Sequence, residues 1–175
     1  MPAGIVVVGS GVAGLHTANL LARRLPPSAA TIRVIDPTGR HAYQPGWLSV
    51  ALGAASPSRL VRDAHTLLHP RVDLVLDEVV RLDPTAGKLW LRREGTMSYD
   101  YAVLATGTRL DRDAVPGLIE GSQDFYSLEG AERLRETLDA FEGGTILVGI
   151  AGVPYPCPPA PVEFALRLEE LLRRR

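Results

Sequence analysis

Apolar positions along the chain follow two periods. Ile5-Val6-Val7-Val8 is an unbroken β-branched run, short enough for a strand buried on both faces of a parallel sheet. From Val12 to Leu25 the spacing turns helical, with Val12, Leu15, Ala18, Asn19, Ala22 and Leu25 on one stripe, until Pro26-Pro27 stops it. Thr31–Ile35 predicts a second strand and Val72–Leu76 a third, also parallel. Between them Pro37–Gly53 reads as loop and irregular structure. Ser56-Pro57 reads as an N-cap followed by proline at the first helical position. Leu60, Val61, Ala64, Leu67 and Leu68 then predict one helix up to Pro70.

The second half alternates first and coils later. Glu78–Leu82, Lys88–Arg92 and Thr96–Tyr101 alternate between turn signals at Asp83-Pro84 and Glu94-Gly95, which predicts a small antiparallel β-meander. Its last strand runs into Tyr101–Ala105, a buried strand ending in Thr106-Gly107. Ser127 caps a predicted helix whose Leu128, Ala131, Leu134, Leu138 and Phe141 share a face, and Gly143-Gly144 ends it. Thr145–Gly149 predicts a fresh strand. Gly152–Pro161 is a loop with five prolines, and Val162–Arg174 an amphipathic helix. The pattern as a whole is α/β: a Rossmann-like unit with a parallel sheet, a meander, and the start of a second Rossmann-like unit. It places a first domain at residues 1–142 and the beginning of a second at 143–175. A strand and one helix with no return strand leave that second unit unfinished, so the sequence reads as the N-terminal part of a larger protein.

Candidate chemistry begins in the first turn. Gly9-Ser10-Gly11-Val12-Ala13-Gly14 lies between a predicted strand and a predicted helix. In such a setting Gly9 permits the tight turn, Gly11 lets backbone approach a pyrophosphate, and Gly14 lets helix and strand pack closely. Asp36 ends the second strand twenty-two positions after Gly14, where an acid is expected to hold a ribose hydroxyl. A carboxylate there repels a 2′-phosphate, which favours FAD or NAD over NADP.

Composition narrows the classes. The chain has 175 residues, 46% hydrophobic and 22% charged, with a net charge of −1, so no strong field draws nucleic acid. Lys88 is the sole lysine among 19 basic residues, a bias of base composition rather than of function. No apolar run approaches the ~18 residues of a membrane span. The N-terminus carries no basic region before its apolar run, and one cysteine suits a reducing cytoplasm. His65 and His69, four apart, lie off the apolar stripe without a third ligand nearby and read as solvated, so no metal is expected.

These residues resemble a family. The Gly9–Gly14 turn with Asp36, the run Tyr99-Asp-Tyr-Ala-Val-Leu-Ala-Thr-Gly107 and the strand at Thr145 resemble the two-dinucleotide-binding flavoproteins of the pyridine nucleotide-disulfide oxidoreductase superfamily. Tyr43-Gln-Pro-Gly-Trp47 and the proline-flanked Cys157 within Gly149–Glu163 look more narrowly like sulfide:quinone oxidoreductases and their relatives. The resemblance implies FAD as cofactor, sulfide or another small sulfur donor as reductant and a quinone as acceptor. It places Gly9, Gly11 and Gly14 at the pyrophosphate, Asp36 at the ribose, and Val79 or Val80 at the adenine through backbone groups. Gln44 and Pro45 then fall near the flavin, with Thr106 and Gly107 lining its site. It makes Cys157 the redox residue, paired with a cysteine from elsewhere in a full-length protein. That protein would be cytoplasmic and meet the inner face of the membrane peripherally through its C-terminal part.

Cys157 also has a reading from its own surroundings. Pro156, Pro158, Pro159 and Pro161 hold its loop extended and out of regular elements, and the positive end of the next helix faces it. Two alternatives stay open. One is an FAD-dependent NAD(P)H oxidoreductase of the NADH:quinone or disulfide reductase type. The other is a catalytically silent FAD-binding fragment. A complete second GxGxxG would favour the former; the chain instead has Gly149-x-x-Gly152 followed by prolines, which lack amide donors.

Overall fold

The N-terminal β-branched run forms β1 (Ala3–Val8), and the glycine turn leads into α1 (Val12–Arg24). β2 (Ala30–Ile35) returns parallel to β1. Part of the expected loop is ordered: β3 (Arg40–Ala42), a 3₁₀ turn at Gln44–Gly46, and α2 (Trp47–Ala51), whose Trp47, Leu48, Val50 and Ala51 are buried. Next come α3 (Pro57–Leu60), β4 (Val61–Asp63), a 3₁₀ turn at Ala64–Leu67, and β5 (Val72–Val75). The meander is β6 (Val79–Asp83), β7 (Lys88–Leu91) and β8 (Gly95–Ser98), and β9 (Tyr101–Leu104) follows. The chain closes with α4 (Leu118–Gly121), α5 (Leu128–Asp139) and α6 (Ala160–Arg173). This computed structural model describes residues 1–174; Arg175, the last residue of the expected second domain, lies outside them.

Two compact units emerge: Met1–Ala42 with Val61–Thr108, and Tyr43–Leu60 with Arg109–Arg175. The first is built on a four-stranded parallel sheet in the order β5-β2-β1-β9, beside the three-stranded antiparallel meander. Strand alternation explains why β1 is apolar throughout. Ile5 and Val7 pack with Ala18 and Ala22 of α1, whereas Val6 and Val8 pack with Leu89 and Leu91 of β7. The meander is thus the cover of the second face. Asp77 anchors it: its side chain is 1% exposed and accepts the amides of Glu78, Arg93 and Glu94.

In the second unit α2 packs against α5, and Phe125 stacks on Phe164 of α6 at 4.8 Å. The Ser127 hydroxyl caps α5 by accepting the Gly130 amide, as the sequence predicts.

Five local expectations are corrected. The helix expected up to Pro70 is a single turn, a strand and a 3₁₀ turn. Val61–Asp63 pairs antiparallel with Arg40–Ala42, Asp63 caps the next turn through the His65 amide, and the Asn19 side chain holds both Leu67 and His69. Ladder bonds and a side-chain clamp here override a helical stripe. Asn19 is therefore a bridge rather than part of the apolar face, and Val12 is 66% exposed. Residues 95–104 form two strands of different sheets, broken at Tyr99-Asp100, where Asp100 accepts the Gly4 amide at 2.6 Å. Thr145–Gly149 forms no strand and is unpaired among the described residues, with Leu147 92% exposed. In α6 the buried face is Pro161, Phe164 and Leu168, leaving Val162 and Leu166 outward.

Candidate functional site

The turn between β1 and α1 shows three glycines doing three different things. Gly9 has φ +103, and a Cβ on it would lie 2.4 Å from the Ala105 carbonyl oxygen. A Cβ on Gly14 would lie 1.9 Å from the carbonyl oxygen of Gly9. Both are closed by backbone, so no side-chain movement relieves them. A Cβ on Gly11 would meet nothing within 4 Å. Gly11 is exposed and caps α1 with no side-chain bond, so its surroundings are open where the first-turn amides of α1 end. Two glycines shape the turn and the third keeps it open, which suits a pyrophosphate.

Asp36 follows β2 directly. Its Oδ1 accepts the Thr38 amide at 2.8 Å, the Thr38 hydroxyl at 2.8 Å and the Gly39 amide at 2.9 Å. Its Oδ2 accepts the Ser10 amide at 2.9 Å, tying the strand end to the glycine turn. Burial works to raise this carboxyl, but the bonds from Ser10 and Thr38 outweigh it and hold the group below its ordinary value. With one donor on Oδ2, a carboxylate retains a lone pair for a ligand hydroxyl. Against Thr38 and Gly39 runs an open groove of about 680 Å³, walled by Leu74, Leu76 and Val61 and edged by Arg40, Arg62 and His65.

Thr106 and Gly107 are exposed at the end of β9, next to the Ala105 that contacts the glycine turn. Asp36 and Asp77 both donate their amides to the Val75 carbonyl, so the stretch leading to Val79 starts beside Asp36. Val79 itself opens β6 and packs its side chain against the core under the meander. The structure therefore brings together Gly9, Gly11, Gly14, Asp36, Thr106 and Gly107 in the first unit. Gln44, Pro45 and Cys157 belong to the second.

Within that second unit Gln44 and Pro45 are exposed in the 3₁₀ turn. Cys157 is exposed, with φ +51, a left-handed conformation that costs an L-residue about 1–2 kcal/mol. Its carbonyl accepts the Ala160 amide at the entry to α6, where Pro159 and Pro161 remove donors from the first turn. Sequence reasoning missed Tyr126. Its hydroxyl is buried and has no hydrogen-bond partner among the described residues. Burial raises its pKa, with smaller contributions from Cys157 and Tyr155. No sequence signal beyond its place ahead of the Ser127 cap distinguishes this tyrosine. His41 was also missed: its Nδ1 lies 3.2 Å from the Ser10 carbonyl oxygen. Among the described residues no group of three or more His, Cys, Asp or Glu is arranged to hold a metal, and no helix is long and apolar enough to cross a membrane.

The family model described as pyridine nucleotide-disulphide oxidoreductase, a group of FAD-binding flavoproteins, matches residues 3–151. The mitochondrial sulfide:quinone oxidoreductase of Mus musculus is 29% identical over 175 residues, covering 97% of this chain and 38% of the mouse protein. The external alternative NAD(P)H-ubiquinone oxidoreductase B2 of Arabidopsis thaliana is 26% identical, over 81% of this chain and 26% of its own length. The crystal structure of the sulfide:quinone oxidoreductase from Aquifex aeolicus superposes with a TM-score of 0.80 over 98% of this chain and 40% of that one. At 22% identity, that match bears on the fold. The chain thus spans about two fifths of the length of the sulfide:quinone oxidoreductases it matches.

Proposed function

The chain belongs to the pyridine nucleotide-disulphide oxidoreductase family, and on that premise we propose that it is the FAD-binding portion of an oxidoreductase of the sulfide:quinone type. In this reading residues 1–142 supply the FAD-binding domain and 143–175 open a second dinucleotide-binding-like domain. The amides around Gly11 receive the pyrophosphate, and Asp36 takes the ribose through Oδ2. Backbone at Val79 meets the adenine, while Thr106 and Gly107 line the flavin end. Gln44 and Pro45 are assigned to the flavin end on resemblance. Bound FAD would accept an electron pair and pass it on as two separate half-reactions.

Cys157 carries the reading. Sulfide gives up two electrons as its sulfur becomes bound to a cysteine sulfur, and a quinone takes two electrons and two protons. That chemistry needs an accessible thiol on a stiff, exposed segment, and Cys157 is exposed, strained and bracketed by prolines. The same prolines speak against the NAD(P)H reading. A second pyrophosphate site needs free amides at the start of α6, and Pro159 and Pro161 supply none. The similarity to NAD(P)H-ubiquinone oxidoreductases keeps that reading as the competitor.

Reductive titration distinguishes them. In the enzyme that carries this chain, sulfide should bleach the flavin absorbance, and Cys157→Ser should abolish that bleaching while flavin content stays the same. Bleaching by NADH with sulfide inert would move the protein to the competing class.

A further inference from the structure

We propose that His41 is a positioning residue for the dinucleotide site, holding the Ser10–Gly11 peptide in the orientation that aims the Gly11 amide at a bound pyrophosphate. The inference rests on the FAD-binding reading above and adds a residue that reading does not use.

Ser10 is held from two sides. It is fully buried, and its amide donates to Asp36 Oδ2 at 2.9 Å. Its carbonyl oxygen lies 3.2 Å from His41 Nδ1. A carbonyl only accepts, so Nδ1 carries the proton in that bond. The peptide joining Ser10 to Gly11 is planar and trans, so its C=O and N–H point in opposite directions. Fixing the Ser10 carbonyl on the imidazole therefore fixes the Gly11 N–H on the other side of the same plane. Around Gly11 there is room, since a Cβ placed there meets nothing within 4 Å.

The holder is itself built. Asp36 Oδ1 draws in Thr38 and Gly39, which turns the chain toward β3. In β3, His41 pairs with Arg62 of β4, and the Gly39 carbonyl accepts the Ala64 amide at the Arg40–Asp63 end of that ribbon. The strand pair that replaced the expected helix thus has a use: it anchors the imidazole. Asp36 and His41, five residues apart, grip the N–H and the C=O of one residue in the turn. A glycine at position 11 has the freest backbone of any residue, and its neighbouring peptide would otherwise rotate at little cost. Preorganisation of a donor removes part of the ordering cost of binding.

The test uses three variants of the enzyme that carries this chain. Asn places an amide N–H where the His Nδ1–H was, Gln moves its donor one bond further out, and Ala removes it. One neutral hydrogen bond is worth about 0.5–1.5 kcal/mol, so loss of the donor should weaken FAD binding by up to roughly tenfold. His41→Ala and His41→Gln should show that loss in a flavin-fluorescence titration, and His41→Asn should return to within about threefold of wild type, a rescue that bulk or packing alone does not give. Circular dichroism confirms that each variant is folded, and His41→Gln, which keeps size and polarity, serves if His41→Ala does not fold. Hydrogen–deuterium exchange of the peptide spanning the glycine turn, without FAD, gives a second readout. It should be faster in the Ala and Gln variants and normal in the Asn variant. FAD affinity within twofold of wild type for the Gln variant, or no rescue by Asn, overturns the proposal. Absence of FAD from the wild-type enzyme overturns the FAD reading instead, and the exchange pattern then decides the clamp by itself.

Discussion

The glycine turn at residues 9–14 and the proline loop at 152–161 are both stiff, and for opposite reasons. In the turn, rigidity comes from neighbours: backbone oxygens sit 2.4 and 1.9 Å from where side chains at Gly9 and Gly14 would begin. The loop is stiff from within, because five prolines restrict its own dihedrals while Val153 and Cys157 stand exposed. The first region is part of a closed core; the second would keep its shape with few contacts. A site for a bound nucleotide suits the former, since every donor must be preset. The redox role proposed for Cys157, which asks for an accessible thiol, suits the latter.

The largest expected effect separates shape from opening inside the turn. Gly14→Val puts a branched side chain onto the Gly9 carbonyl and should cost more than about 3 kcal/mol, leaving little cooperative urea transition. Gly11→Val faces open space at a negative φ, so its stability should stay within about 0.5 kcal/mol of wild type while FAD binding is lost. Equal stability losses in the two variants would erase the distinction between the glycines.

A step smaller, Phe164→Ala tests whether the second unit has a core of its own. Phe164 is 4% exposed and stacked on Phe125 at 4.8 Å. Its truncation should cost about 3 kcal/mol. Buried Trp47 of α2 should report that loss by fluorescence. A cost below about 1 kcal/mol would mean that the α2, α5 and α6 packing is loose in solution.

How much of this was legible in the sequence follows from the kind of interaction involved. β1, α1, β2 and the meander were readable because their periodicity is the packing: alternate β-branched residues serve two faces, and local turns set the hairpins. The Gly9–Gly14 turn with Asp36 was readable because backbone sterics demand glycine there. Val61–Asp63 was not, since its stripe fits a helix and only the partner strand β3 and the Asn19 side chain decide otherwise. Tyr126 and His41 were invisible for the same reason, each depending on groups distant in sequence. The strand expected at 145–149 reads as apolar, but no strand forms there and nothing among the described residues pairs with it.

Acid sharpens the contrast further, because the first unit holds one buried carboxylate, Asp77, and one half-buried, Asp36, in its fabric. Burial pushes Asp77 up, but amides of Glu78, Glu94 and Arg93 and the Arg93 charge together bring it below its ordinary value. Asp36 moves in the same direction. A carboxyl lowered on folding adds stability above its unfolded pKa, near ~3.9, and loses it as pH falls through the folded value. Urea midpoints should therefore be flat from neutral pH to about 5 as far as these groups are concerned, then fall. Asp77→Asn should lower the midpoint at pH 7, with the gap to wild type narrowing toward pH 3. A gap that widens in acid would reverse the assigned sign.

The smallest effect is expected at Leu147, and its smallness is what makes it informative. Leu147 is 92% exposed in a segment with no ladder bonds among the described residues. A side chain in water on both sides of folding contributes little, so Leu147→Ser should shift stability by less than about 0.5 kcal/mol. The sequence nevertheless reads Thr145–Gly149 as a strand, and a real strand with Leu147 packed in a sheet would lose about 2 kcal/mol or more on truncation. Urea denaturation of Leu147→Ser at a dilute and at a concentrated protein level separates the cases. No shift at either level matches an unpaired segment. A loss of about 2 kcal/mol that appears only at high concentration would mean that copies of the chain pair through this strand. A loss at both levels would mean that the segment is paired within the chain, so that a sheet-built strand runs to Gly149 directly ahead of the self-stiffened loop at 152–161.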